Sequence, residues 1–137
     1  MITMRTAQPG FSLTEIIIAI MIVGFMVAGT IGLFSWVGQA KRKSTESMLR
    51  TLSLAISQYY ANVHNYPTAL QDLVNAPAGV KGWQGPYLDK EITLDSWNND
   101  LQYIVKGKGQ KPPYELYSYG ANGEGSPESE WIRAEKL

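Results

Sequence analysis

From Phe11 to Val37 the chain is almost unbroken apolar and small residues, and Glu15 is the only ionisable side chain in that stretch. A helix needs about 20 such residues to cross a bilayer, so the run is long enough to span one. It begins directly after Pro9-Gly10, a pair that breaks any helix before it. A secretory signal has an apolar core of about 7–15 residues with its cleavage site behind it; here the run is longer, so any cut must precede it. Met1 to Gly10 is short and polar, with Arg5 its only charge besides the terminal amine, and reads as a leader with no packing role.

Beyond Gly38 the pattern turns amphipathic. Lys41, Arg42 and Lys43 are followed by Met48, Leu49, Leu52, Ile56, Tyr59 and Val63, recurring every three or four residues. The spacing predicts one helix from Phe11 to Val63, roughly 80 Å long, ended by Tyr66-Pro67-Thr68. Ala69 to Val74 is expected to add a helical turn, followed by a loop to about Pro86. Leu101 to Lys106 and Tyr114 to Tyr119 alternate as strands do, and Gly107 to Pro113 between them has the composition of a hairpin turn. Gly120 to Pro127 has almost no apolar content, so something other than a core must order it. The expected fold is α+β: a long N-terminal helix whose second half packs on a small antiparallel sheet and a C-terminal loop.

Charge and side-chain chemistry exclude several functions. Lys plus Arg number 12 and Asp plus Glu number 12, which leaves no net field to draw in nucleic acid. There is no cysteine, hence no disulfide, thiolate metal site or cysteine nucleophile. His64 is the only histidine and sits where the helix should end, as a capping or surface residue. With no nucleophile motif and no phosphate-binding glycine loop, the chain reads as a non-enzyme with no catalytic residues.

Gly10-Phe11-Ser12-Leu13-Thr14-Glu15, followed at once by the apolar run, resembles the prepilin signature of type IV pilins and type II secretion pseudopilins. The resemblance implies that a membrane-embedded prepilin peptidase cuts after Gly10 and that the same enzyme methylates Phe11 as the new N-terminal residue. It implies that Glu15 neutralises the N-terminal amine of a neighbouring subunit during assembly. A carboxylate four residues into a bilayer-spanning helix costs about several kcal/mol unless it is neutral, paired or near the interface, so it needs such a role; the alternative is that it snorkels to the headgroups. Gly24 lies where the family carries a helix-loosening glycine, and Gly32 stands in place of a common proline. Gly24, Gly29 and Gly32 read equally as close-packing residues of membrane helices. Counting Lys41, Arg42 and Lys43 against Arg5 would put the head in the cytoplasm, but the leader motif is the more specific signal, and Glu46 offers partial compensation.

The missing disulfide shifts weight from adhesive and motile pilins to pseudopilins. Gly82 to Leu88, Asp95 to Tyr103 and Tyr114 to Ala121, with Tyr66-Pro67-Thr68, are similar to the major pseudopilin family of type II secretion. Those segments read independently as a small core on Trp83, Trp97 and several tyrosines. The resemblance implies a leader at 1–10, an apolar membrane and filament-core helix at 11–38, and a periplasmic head at 39–137 on a single inner-membrane span. It further implies a homopolymeric periplasmic pseudopilus, grown at its base by an inner-membrane assembly platform with minor pseudopilins, that pushes folded proteins through an outer-membrane channel. An adhesive, motile or DNA-uptake fibre and an unprocessed bitopic membrane protein remain the alternatives.

The same resemblance implies a calcium ion in the stretch from Leu116 to Ile132, with Leu116, Ser118, Asn122, Glu128 and Glu130 as the matching ligands. Asn122, Glu128 and Glu130 stand where the family uses aspartates, which changes both charge and reach. The alternative is a solvated acidic loop, with Trp131 and Ile132 docking the tail onto the core.

Overall fold

The computed structural model describes residues 10–107 and 109–137, and the side chains of 30–35 lie outside that description. The leader expected at 1–10 therefore falls outside the described residues except for Gly10, which is exposed coil. The α+β class is the one observed. Helix α1 runs from Leu13 to Val63, 51 residues or about 77 Å. It starts two residues later than expected because Ser12 supplies the first acceptor: its carbonyl takes the N–H groups of Glu15 at 3.0 Å and Ile16 at 3.2 Å. At the other end His64 turns into the left-handed region with φ 59° and donates its N–H to the Tyr60 carbonyl at 2.8 Å, closing the helix before Pro67.

The chain divides into two compact units at the Val37–Gly38 boundary. In the first, the described large apolar side chains are exposed; Phe11 and Phe25 keep more than four-fifths of their surface. In the second, α1 buries Thr45, Leu49, Leu52, Ala55, Ile56 and Tyr59, the face that its three-to-four-residue spacing predicts. That face meets Leu70 and Leu73 of a short 3-10 helix (Leu70–Leu73), together with Leu88, Leu101, Leu116 and Ile132. Burying each such Leu or Ile contributes roughly 1.5–3 kcal/mol, so this cluster holds the head without a disulfide.

The sheet is antiparallel, in the order β1 (Gln102–Val105), β2 (Tyr114–Ser118), β3 (Ile132–Arg133). Tyr103 faces Leu116 across β1 and β2, and Tyr117 faces Arg133 across β2 and β3. The expected alternation holds through Leu101 and Tyr103 and then lapses: Ile104 and Val105 are both exposed, since β1 is an edge strand and its end runs past the core. β2, in the middle, buries Leu116, Tyr117 and Ser118 in succession, so both its faces are covered.

Tyr103 ties this sheet to the end of α1 by donating its hydroxyl to the Pro67 carbonyl at 2.9 Å. Burial pushes its phenol well above the ordinary value of 10.0, and Tyr114 and Asp72 push it further. The folded state therefore keeps this proton where the unfolded state releases it. Its contribution is constant below about pH 10 and is lost as the pH rises beyond that. Urea unfolding between pH 7 and 11 checks this: Tyr103→Phe should cost about 1 kcal/mol at neutral pH and flatten the alkaline decline.

Candidate functional site

The N-terminal site is built by the start of α1. Gly10 and Phe11 precede the helix, and Glu15 occupies its first turn, where the unpaired N–H groups of the helix end favour a carboxylate. Phe11, Glu15, Ile16, Ala19, Ile20 and Val23 line one shallow concavity: the helix repeat aligns Glu15 with Ala19 and Val23, and Phe11, just before the helix, lies on the same apolar face. Glu15 is exposed on that face. Around Gly24 and Gly29 there is open space for a Cβ, and α1 is unbroken through both and through Gly32. Among the described residues no helix is long and apolar enough to cross a membrane. The apolar run of the sequence passes through 30–35, where side chains lie outside the description. In the second unit, the Arg42 Nε sits 3.3 Å from Glu46, the local compensation that the sequence suggests for the basic cluster.

The second region is the loop that follows β2. Asp95, 4 % exposed, anchors it. One carboxylate oxygen accepts the N–H groups of Trp97 at 2.8 Å and Asn99 at 2.9 Å, closing the turn before β1. The other accepts the Ser118 hydroxyl, whose oxygen in turn accepts the Gly120 N–H at 2.9 Å. Asn99 donates its side-chain amide to the Gly120 carbonyl at 3.0 Å. Gly120 itself has φ +79°, and a Cβ there would sit 3.0 Å from the Glu130 carbonyl oxygen, so glycine is required for this close approach. Sequence reasoning placed Asp95 only within a similar segment; nothing local in Asp95-Ser96-Trp97 announces a partner 23 positions away.

The five residues expected to ligate calcium are held as follows. Leu116 and Ser118 are buried in β2, with the Ser118 hydroxyl committed to Asp95 and Gly120. Asn122 donates its amide to a Glu130 carboxylate oxygen at 2.6 Å. Glu128 accepts from the Arg133 guanidinium at 3.1 Å. Calcium takes six to eight oxygens, and these carboxylates are each engaged by a donor of the protein, one of them cationic. Among the described residues no cluster of three or more acidic, histidine or cysteine side chains could hold a metal ion. As arranged, the side chains of Asn122, Glu128 and Glu130 are thus committed to partners within the chain.

Aromatic contacts also hold the loop. Trp131 stacks on Tyr117 with ring centroids 4.8 Å apart and planes 2° from parallel, and Tyr119 meets Trp131 edge-on at 5.1 Å. The Trp131 indole donates to the Ser126 carbonyl at 2.9 Å, while the Ser126 hydroxyl donates to the Tyr119 carbonyl at 2.8 Å. Ile132, 1 % exposed, enters the core beside them.

The family model for type II secretion system protein G matches residues 32–133. The type II secretion system core protein G of Xanthomonas campestris pv. campestris is 33% identical over 121 residues, covering 87% of this chain and 82% of that protein. The core protein G of Pseudomonas aeruginosa is 32% identical over 127 residues, covering 88% of each chain. That of Escherichia coli K12 is 32% identical over 126 residues, with 85% of this chain and 84% of that protein covered. In fold, the chain is similar to the major pseudopilin from the type 2 secretion system of enterohaemorrhagic Escherichia coli, with a TM-score of 0.59 and 22% identity over 77% of this chain and 95% of that one. The chain belongs to the type II secretion system protein G family and has the fold of a major pseudopilin.

Proposed function

We propose that this chain is the major structural subunit of a type II secretion pseudopilus and that it works by polymerising. In this reading it is made as a precursor, cut after Gly10 by a prepilin peptidase and methylated by the same enzyme at Phe11. The apolar helix holds it as a single span in the inner membrane with the head in the periplasm. Assembly then moves that helix from lipid into the core of a homopolymeric fibre, through an inner-membrane platform and alongside minor pseudopilins. Fibre growth drives folded proteins across the outer membrane.

The observation that carries the reading is the start of α1, where Glu15 is the one charge on an exposed apolar face that also bears Phe11. Bilayer lipid and the matching helices of other subunits can both cover such a face, and a carboxylate on it calls for a positively charged partner. The N-terminal amine that cleavage creates at Phe11 of a neighbouring subunit is such a partner. Protein G family membership supports a secretion role over adhesion or DNA uptake.

The test is the intact mass and N-terminal sequence of the protein purified from membranes of a cell that carries a prepilin peptidase. We expect a chain starting at N-methylated Phe11. A chain starting at Met1 without a methyl group would return it to the unprocessed bitopic class and remove the filament reading.

A further inference from the structure

We propose that Arg133 is the cation that closes the C-terminal loop of this head, and that the loop is consequently indifferent to calcium. Arg133 ends β3 directly opposite Tyr117, and its side chain is only 17% exposed. The guanidinium carbon lies 5.0 Å from the Trp131 ring centroid and 5.5 Å from that of Tyr117, within the range of cation–π attraction to both members of the stacked pair. Its nitrogens reach Glu128 at 3.1 Å and Glu135 at 3.8 Å, on the two sides of β3 in sequence. A single planar group thus joins the 3-10 turn Glu128–Glu130, the stacked rings of Tyr117 in β2 and of Trp131 just before β3, and the C-terminal turn Ala134–Lys136.

The geometry decides which of these contacts matter. Glu128 and Glu135 are 74% and 40% exposed, so water and salt screen both ion pairs and each contributes little alone. The cation–π contacts with Trp131 and Tyr117 are shielded, and a flat, weakly hydrated guanidinium suits them better than a strongly hydrated ammonium. A calcium ion bound through Glu128 would have to compete with a cation already covalently fixed beside it. The Asp95–Ser118–Gly120 bonds hold the beginning of the loop with no contribution from Glu128 or Glu130. Both ends of the loop are therefore tied by groups of the chain itself.

The experiment uses the full-length protein in detergent micelles, with thermal unfolding followed by tryptophan fluorescence in millimolar calcium and in EGTA. The wild-type midpoint is expected to be the same in both. Arg133→Met should lower it by roughly 4–8 °C and should open Glu124 and Glu128 to a glutamate-specific protease, with calcium restoring neither. Arg133→Lys, which keeps the charge but loses the planar, weakly hydrated guanidinium, should stay close to Arg133→Met. A wild-type midpoint that rises in calcium or falls in EGTA overturns the proposal, as does an Arg133→Met protein with wild-type melting and cleavage. Should Arg133→Met fail to accumulate, Glu128→Gln in the same calcium comparison decides the matter: a calcium response lost on this substitution would identify Glu128 as a metal ligand and overturn the proposal, whereas indifference in both proteins sustains it.

Discussion

Asp95→Ala should destabilise the head by roughly 2–4 kcal/mol and lower its melting midpoint by on the order of 15 °C. The carboxylate is buried and accepts three hydrogen bonds, from the Trp97 and Asn99 N–H groups and from the Ser118 hydroxyl. Alanine leaves those donors facing a small void from which water is largely excluded, and each buried donor left without an acceptor costs about 1–3 kcal/mol. The total stays below the sum of the three, because removing the carboxylate also removes the cost of keeping a charge out of water. Asp95→Asn should lose about half as much. Its one oxygen can still accept from Trp97 and Asn99, but its amide then meets the Ser118 hydroxyl, which already accepts from Gly120. Urea unfolding of the two variants beside the wild type checks the order. If Asp95→Ala falls within 0.5 kcal/mol of wild type, roughly the range of an ordinary surface substitution, then the bonds to Asp95 do not hold the loop.

The network around Asp95 also shows where the sequence stops being readable. Leu49, Leu52, Ile56 and Tyr59 are legible because a helix repeats every 3.6 residues and its buried face prints that period into the chain. The helix end at Tyr66-Pro67 and the β1–β2 hairpin are legible for the same local reason: proline and alternation act over a few residues. β3 is not, since two residues carry no period, and β2 loses its alternation by lying between two neighbours. Asp95 with Ser118, and Tyr117 with Arg133, depend on pairings made only when the sheet forms, and no spacing rule predicts them. In the C-terminal loop, resemblance alone pointed to Glu128 and Glu130, whereas Arg133, the residue that contacts Glu128, carried no signal until the strands were aligned. The docking of Trp131 and Ile132, by contrast, was foreseeable, because they are the first large apolar residues after a polar loop.

On the proposed function the start of the chain follows the opposite rule, its meaning readable in six residues and its partner lying in another molecule. On the proposed reading, Glu15→Ala should leave cleavage after Gly10 and membrane insertion intact while reducing assembled filaments to below about a hundredth of wild type. Removing the acid makes the helix more apolar, so residence in lipid becomes easier by roughly 2–3 kcal/mol. Any loss of filaments must then come from assembly and not from failure to insert. In the fibre core, an N-terminal ammonium without a counter-charge would carry a desolvation penalty of about several kcal/mol, enough to account for a hundredfold effect at ~1.4 kcal/mol per tenfold. Glu15→Gln separates charge from shape: it keeps the length and hydrogen-bonding capacity, and if neutralisation is the task it should assemble almost as poorly as alanine. The measurement is sheared filaments counted by electron microscopy, with intact mass on the membrane fraction to verify cleavage in each variant. Normal filaments from Glu15→Ala would mean that the acid merely rests in the first turn of α1, stabilised by the helix end, and that subunit register is set elsewhere on the exposed face.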